Sequence, residues 1–143
     1  MRQSDAFEEI AESFELFDDW EDRYRYVIDL GRDLPGLEDH KRTPATKVDG
    51  CASQVWLVPE VTDSSDGPRI RFEGDSDAMI VRGLIAILIA LISDRPIAEV
   101  RDIDIRGQMA RLGLDQALSA QRSNGLRAMV QRIEDIAASA EAA

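Results

Sequence analysis

Cys51 is the only cysteine among the 143 residues, and it lies in the stretch VDGCASQVWL. A single thiol cannot form a disulfide within its own chain, and zinc and iron–sulfur centres need several Cys or His ligands. Cys51 follows Gly50 in a predicted loop that precedes a strand, and loops present side chains to partners. Two interpretations stand: a small, buried apolar side chain, as most free cysteines are, or a reactive nucleophile.

The residues around Cys51 restrict the reactions that its thiol can perform. A cysteine hydrolase needs a base beside the sulfur, and His40, the only histidine, lies upstream in a loop-like stretch where solvent exposure is the simpler interpretation. A dithiol redox protein needs a second cysteine, which is absent. In thiol exchange, by contrast, one thiolate takes a sulfane sulfur from another cysteine and passes it on, so that one cysteine suffices.

The elements that must position Cys51 follow from the spacing of apolar residues. Residues 5–17 carry apolar side chains at helical spacing, and a second such stripe begins after Asp18 and Asp19 and stops near Gly31, which predicts a helical hairpin. Residues 35–51 are expected to be mostly loop, with a short strand at 46–48.

The second half of the chain begins with strands and continues with helices. Residues 53–61 and 69–73 predict a β-hairpin whose second strand has one wet face. A central apolar helix follows over about 77–93, then one or two short helices between 96 and 118, and a last helix over about 123–138. This segregation of strands from helices indicates an α+β fold, and the length fits one domain spanning 1–143.

The charge distribution bounds the kinds of partner. Residues 1–40 hold 13 acidic and 4 basic residues, a net charge of −9, whereas residues 41–143 hold 15 and 13, a net charge of −2. An acidic surface repels phosphate groups, so we expect neither nucleic acid nor membrane partners. The acidic, amphipathic start is not an export signal, and a single cysteine suits a reducing compartment, so we expect a cytoplasmic location.

Several stretches resemble the family of SufE-type proteins, the sulfur-accepting partners of cysteine desulfurases. KVDGCASQVWL resembles the family's GCxSxVWL signature, and GDSDAMIVRGLIAIL resembles its GDSDAxIVxGL helix start. SAQRSNGLRAMVQRI resembles its SxxRxxGLxxM segment, and FDDWEDRYRYVIDLGRDLPGL is similar to its second helix. The matches keep their order and extend from about Phe7 to Ile136.

The resemblance implies that Cys51 takes a persulfide sulfur from a SufS-type cysteine desulfurase, stimulates that enzyme and delivers the sulfur to an iron–sulfur scaffold. The chain is then a sulfur carrier and activator rather than a stand-alone enzyme. It implies no metal and no resident cofactor, because the pyridoxal phosphate belongs to the desulfurase. It also implies the fold of the iron–sulfur scaffold proteins, an antiparallel sheet of about three strands covered by helices.

Carried over at matching positions, Gly50 and Ser53 shape the cysteine loop, while Asp75 and Arg122 lie near it. Residue chemistry leaves other interpretations open: Arg122 is either a cation that favours thiolate or an exposed arginine at a helix start, Asp75 is a helix cap, and Trp56 packs in the core. The alternative function is a non-catalytic regulator that changes the conformation of a desulfurase or a related enzyme.

Overall fold

Along the chain, two helices precede a short run of strands and further helices follow it. The computed structural model describes residues 3–51, 53–65 and 67–142. The elements in chain order are α1 (Gln3–Leu16), α2 (Trp20–Asp33), a 3-10 turn (Asp39–Lys41), β1 (Val55–Thr62), β2 (Arg69–Ser76), α3 (Met79–Ile92), β3 (Arg95–Pro96), α4 (Ile97–Asp102), α5 (Ile105–Arg111), α6 (Leu114–Ala117) and α7 (Ala120–Ala142). The predicted α+β class is confirmed.

The strands form one antiparallel sheet in the order β1-β2-β3. β1 and β2 pair along their whole length as the predicted hairpin, and β3 adds two pairs to the start of β2. Ile70 and Phe72 are buried whereas Arg71 is exposed, which confirms the wet face of β2. The third strand is not at 46–48, where Lys47 makes only an isolated bridge to Trp56.

α3 is the central helix, as its apolar sequence predicts. Leu84, Ile85 and Leu88 are almost inaccessible, and the helix packs against the sheet on one side and against α1 and α2 on the other. A side chain at Gly83 would collide with the carbonyl oxygen of Val27, so glycine is what lets α2 and α3 approach closely. Within the described ranges, neither α3 nor any other helix combines the length and apolarity of a membrane span.

Helix ends follow local capping chemistry. Asp19, one of the two predicted caps, accepts a 2.9 Å hydrogen bond from the backbone N–H of Asp22 at the start of α2. The segment expected to hold one or two short helices holds three, because Asp104 caps α5 and Gly113, at φ +78°, interrupts the chain before α6. α7 extends beyond the predicted 123–138 at both ends.

Candidate site around Cys51

The loop that carries Cys51 is closed at its base by backbone pairing. The N–H of Val48 donates to the carbonyl of Val55 at 2.8 Å, which joins the two stems of the loop at the start of β1. Gly50 adopts φ +91°, a conformation that L side chains rarely adopt, and it packs within reach of Ala128 on α7. The loop therefore turns its next residue, Cys51, towards the side of α7.

The sulfur of Cys51 is half-buried against α7. Its thiol donates a long, weak hydrogen bond to the carbonyl oxygen of Gly125, with 3.6 Å between Sγ and O. Even a methyl group at position 125 would lie 3.6 Å from Sγ, so a side chain larger than alanine there would compete with the thiol for space. Glycine on this face of α7 thus leaves room for the sulfur.

A cavity of about 150 Å³ opens beside the sulfur. Its walls are mostly apolar side chains of α3 and α7, with polar groups at the start of α7. The lining residues are Cys51, Ser53, Ala78, Ile80, Val81, Leu84, Gln121, Arg122, Gly125, Leu126 and Met129. The structure therefore brings Cys51, Ser53 and Arg122 together, with Gly50 adjacent in the same loop.

The surroundings of the thiol favour its neutral form. Burial raises the pKa of Cys51, and the carboxylate of Asp49 raises it further. Arg122 lines the same cavity, but its side chain is exposed, and within the described ranges it forms no ion pair. Because the thiolate is the nucleophile, this arrangement shelters the sulfur rather than activating it.

Hydrogen bonds hold both stems of the loop. At the far end, the N–H of Gln54 donates to the Asp77 carboxylate at 3.0 Å, and the N–H of Asp77 donates back to the carbonyl of Gln54 at 3.3 Å. On the near side, Arg132 of α7 donates to the carbonyls of Ala45 and Lys47. In the described part of the tip, the contacts to α7 are the weak hydrogen bond from the Cys51 thiol to Gly125 and the packing of Gly50 near Ala128.

Asp75 lies elsewhere. Its carboxylate accepts hydrogen bonds from Arg42, Arg82 and the N–H groups of Leu37 and Ser76, and it does not line the Cys51 cavity. Burial acts to raise the pKa of Asp75, but the hydrogen bonds from Arg42 and the two N–H groups, together with the charge of Arg82, outweigh it and hold that pKa below its usual value.

The structure also places three residues for which the sequence left other interpretations. Asp75 is not the cap of α3: that helix begins after Ala78, whose N–H donates to the Ser76 hydroxyl. The prediction that Trp56 packs in the core is wrong, because Trp56 is half-buried with the Arg42 guanidinium over its ring. His40 is exposed beside Glu38 and lies outside the Cys51 cavity, so the hydrolase alternative gains no support.

Sequence reasoning did not single out Gly125, Gln121 or Met129 as site residues. All three lie in or next to the segment SAQRSNGLRAMVQRI, whose resemblance to a family motif was the available signal. Gly125 and Cys51 are 74 positions apart, a separation that residue spacing does not bridge. Among the residues that the structure describes, no group of three or more His, Cys, Asp or Glu side chains is placed to hold a metal ion.

Comparisons with known proteins find relatives along most of the chain. The family model "SufE: Fe-S metabolism associated domain" matches residues 8–137. The chain is 52% identical over 130 residues to an uncharacterised SufE-like protein of Rhizobium etli, covering 91% of this chain and 88% of that one. It is 48% identical over 129 residues to an uncharacterised SufE-like protein of Rhizobium meliloti, covering 90% and 92% respectively.

Structural comparison finds the same fold in a distant sequence. The solution structure of a hypothetical protein from Thermus thermophilus superimposes with a TM-score of 0.73 at 16% identity, covering 96% of this chain and 97% of that one. At such low identity the likeness concerns the fold alone, and the three-stranded sheet with its covering helices is therefore an architecture found in solved proteins.

Proposed function

The chain belongs to the SufE family of iron–sulfur metabolism, and we propose that its part there is to carry sulfur on Cys51. In this proposal, Cys51 accepts a persulfide sulfur from a SufS-type cysteine desulfurase, increases the turnover of that enzyme and passes the sulfur on to an iron–sulfur scaffold. The observation that carries the proposal is the placement of the only thiol of the chain at a loop tip beside a sheltered cavity.

The chemistry needs little from the protein. The Cys51 thiol first gives its proton to solvent, and the resulting thiolate attacks the outer sulfur of the donor's persulfide. The bond between the two donor sulfurs breaks, the donor cysteine leaves as a thiolate, and Cys51 becomes the persulfide. A second exchange of the same kind transfers the outer sulfur to the acceptor. No net oxidation occurs, so no metal or redox cofactor is required of this chain.

The cavity suits the loaded state as well as the free thiol. Its volume of about 150 Å³ is several times the ~30 Å³ that one water molecule occupies in the liquid, so one additional sulfur atom has space beside Cys51. Apolar walls from α3 and α7 keep reductants and oxidants away from a persulfide. Shelter in the free protein then requires the loop tip to turn outward when a partner docks.

Alkylation by iodoacetamide tests the shelter. Since burial raises the pKa of Cys51, the thiolate fraction at neutral pH is reduced, and the rate profile of the folded protein is expected to lie at higher pH than that of the same chain unfolded in urea. Adding the desulfurase at constant pH is expected to accelerate labelling by exposing the loop. Coinciding folded and unfolded profiles, or equal rates with and without desulfurase, would contradict the sheltered, movable tip.

Intact-mass spectrometry tests the sulfur transfer itself. After incubation with a SufS-type desulfurase and L-cysteine, the chain is expected to gain ~32 Da per sulfur atom, in a form that a thiol reductant removes because persulfides undergo thiol exchange. Peptide mapping should place the added mass on Cys51, and omission of L-cysteine is the control. Faster desulfurase turnover without any mass gain would support the conformational regulator instead.

A further inference from the structure

A second cavity lies on the opposite flank of α7 from Cys51. It is an open groove of about 490 Å³ between α5 and α7. Its floor consists of the buried apolar side chains of Met109, Leu126 and Val130, and its rim carries the exposed arginines Arg106 and Arg127. The groove thus offers an apolar surface beside cationic groups.

The residues that line the groove include two arginines and one carboxylate, so the groove carries a net positive charge within an acidic chain. The guanidinium of Arg127 contacts the side-chain oxygen of Asn124 at 3.4 Å and has no carboxylate partner in the described part of the chain. Arg106 has only a distant one, Glu134 at 3.6 Å between exposed side chains. The Asp104 carboxylate at the edge of the groove accepts from a backbone N–H of α5. The guanidinium of Arg127 is therefore available to pair with a carboxylate of another protein.

The groove is close enough to Cys51 to be covered by the same partner. Leu126 lines both cavities, and only the width of α7, ~10–12 Å with side chains, separates them. A standard interface buries ~800 Å² per partner, a patch ~30 Å across. A protein that reaches Cys51 from above α7 therefore also reaches the groove.

We propose that the groove between α5 and α7 binds a segment of the sulfur-donating cysteine desulfurase that presents a carboxylate next to an apolar side chain. The carboxylate pairs with Arg127 and the apolar side chain lies on the floor formed by Met109, Leu126 and Val130. The identity of the partner rests on the proposed function, whereas the chemistry of the segment rests on the groove. Charge complementarity at such a rim steers association and fixes the register of two surfaces.

Because the groove is separate from the thiol, docking and sulfur transfer can be altered independently. Arg127→Glu reverses the rim charge, and Ala110→Trp fills the groove from an exposed position without changing charge. Arg71→Glu is the matched control, since it makes the same charge change at an exposed position on the wet face of β2. Thermal unfolding verifies that each variant is folded.

The measurement is the dissociation constant of each variant for a SufS-type desulfurase, by isothermal titration calorimetry at two salt concentrations. Arg127→Glu and Ala110→Trp are each expected to weaken binding about tenfold. Arg71→Glu should bind as the wild type does, and Arg127→Lys should restore much of the affinity. At saturating concentrations of the chain, Cys51 should still gain sulfur in the Arg127→Glu variant.

The outcomes separate this proposal from the function on which it rests. If Arg127→Glu and Ala110→Trp bind as tightly as Arg71→Glu, or if the wild-type chain does not bind the desulfurase, the groove proposal is overturned. If both groove variants bind weakly while the wild-type chain gains no sulfur, docking in the groove stands and sulfur transfer by Cys51 fails.

Discussion

The Cys51→Ser variant is expected to fold and to lose all sulfur acceptance together with its stimulation of the desulfurase. A serine hydroxyl is not ionised near neutral pH and its oxygen does not take part in thiol exchange, so no persulfide forms at this position. The substitution is nearly isosteric, and the hydroxyl can donate to the Gly125 carbonyl as the thiol does. We therefore expect the free energy of unfolding to change by no more than about 1 kcal/mol.

Desulfurase turnover with L-cysteine, measured as a function of the concentration of this chain, checks the prediction. The double variant Cys51→Ser/Glu12→Cys is the matched control, because it keeps one thiol per chain but places it at an exposed position on α1. It too is expected to be inactive, since the loop and cavity are missing around the thiol. Undiminished stimulation by Cys51→Ser would favour the regulator, in which the chain acts by binding alone.

Much of the fold could be predicted because local patterns and burial agree. The apolar stripe of α2, the alternation of β2 and the almost uniformly apolar α3 each match the surroundings that the structure gives them. β3 escaped prediction because Arg95 and Pro96 form too short a run to show any period, and the strand exists only through its pairing with Arg69 and Ile70. Capping residues also set helix boundaries that apolar spacing does not reveal, as Asp104 does at the start of α5.

The candidate site was predictable in its cysteine and much less so in its surroundings. Cys51 stands out as the single thiol, and the resemblance to a family motif drew attention to Arg122, which does line the cavity. The groove between α5 and α7 and the hydrogen bond from the Cys51 thiol to the Gly125 carbonyl both depend on how α7 packs against distant parts of the chain. Such contacts are products of tertiary packing, and no short-range pattern encodes them.

Asp75 shows the same limit, since its partners come from three separate parts of the chain: the segment before β1, the end of β2 and the start of α3. Its side chain is 4% exposed and receives Arg42 at 2.7 Å as well as Arg82, which itself donates to the carbonyls of Gly31 and Leu34. Together with Arg82, the carboxylate therefore joins the end of α2, the connecting segment before β1, the end of β2 and the start of α3. We infer that Asp75 stabilises the packing of these elements against one another and does not act on the Cys51 thiol.

Asp75→Ala is expected to lower the free energy of unfolding by about 3 kcal/mol, near the lower end for breaking a buried ion pair because both guanidinium groups remain partly hydrated. Asp75→Asn keeps the shape and should cost about 1.5–3 kcal/mol, the contribution of hydrogen bonds to charged groups. Urea unfolding followed by circular dichroism provides the measurement. Asp39→Asn is the matched control, because Asp39 also lies 2.7 Å from Arg42 but is fully exposed, so no measurable change is expected.

The pH dependence distinguishes the charge of Asp75 from its packing. Since the folded pKa of Asp75 lies below its unfolded value of ~3.9, its contribution is fully present above that value and is lost as pH falls through the folded pKa. The difference in stability between the wild type and Asp75→Asn should therefore be constant near neutral pH and should shrink below about pH 4. A difference that persists unchanged into acid would mean that the amide fits the hydrogen-bond donors around Asp75 poorly, and that the charge of the carboxylate does not account for the loss.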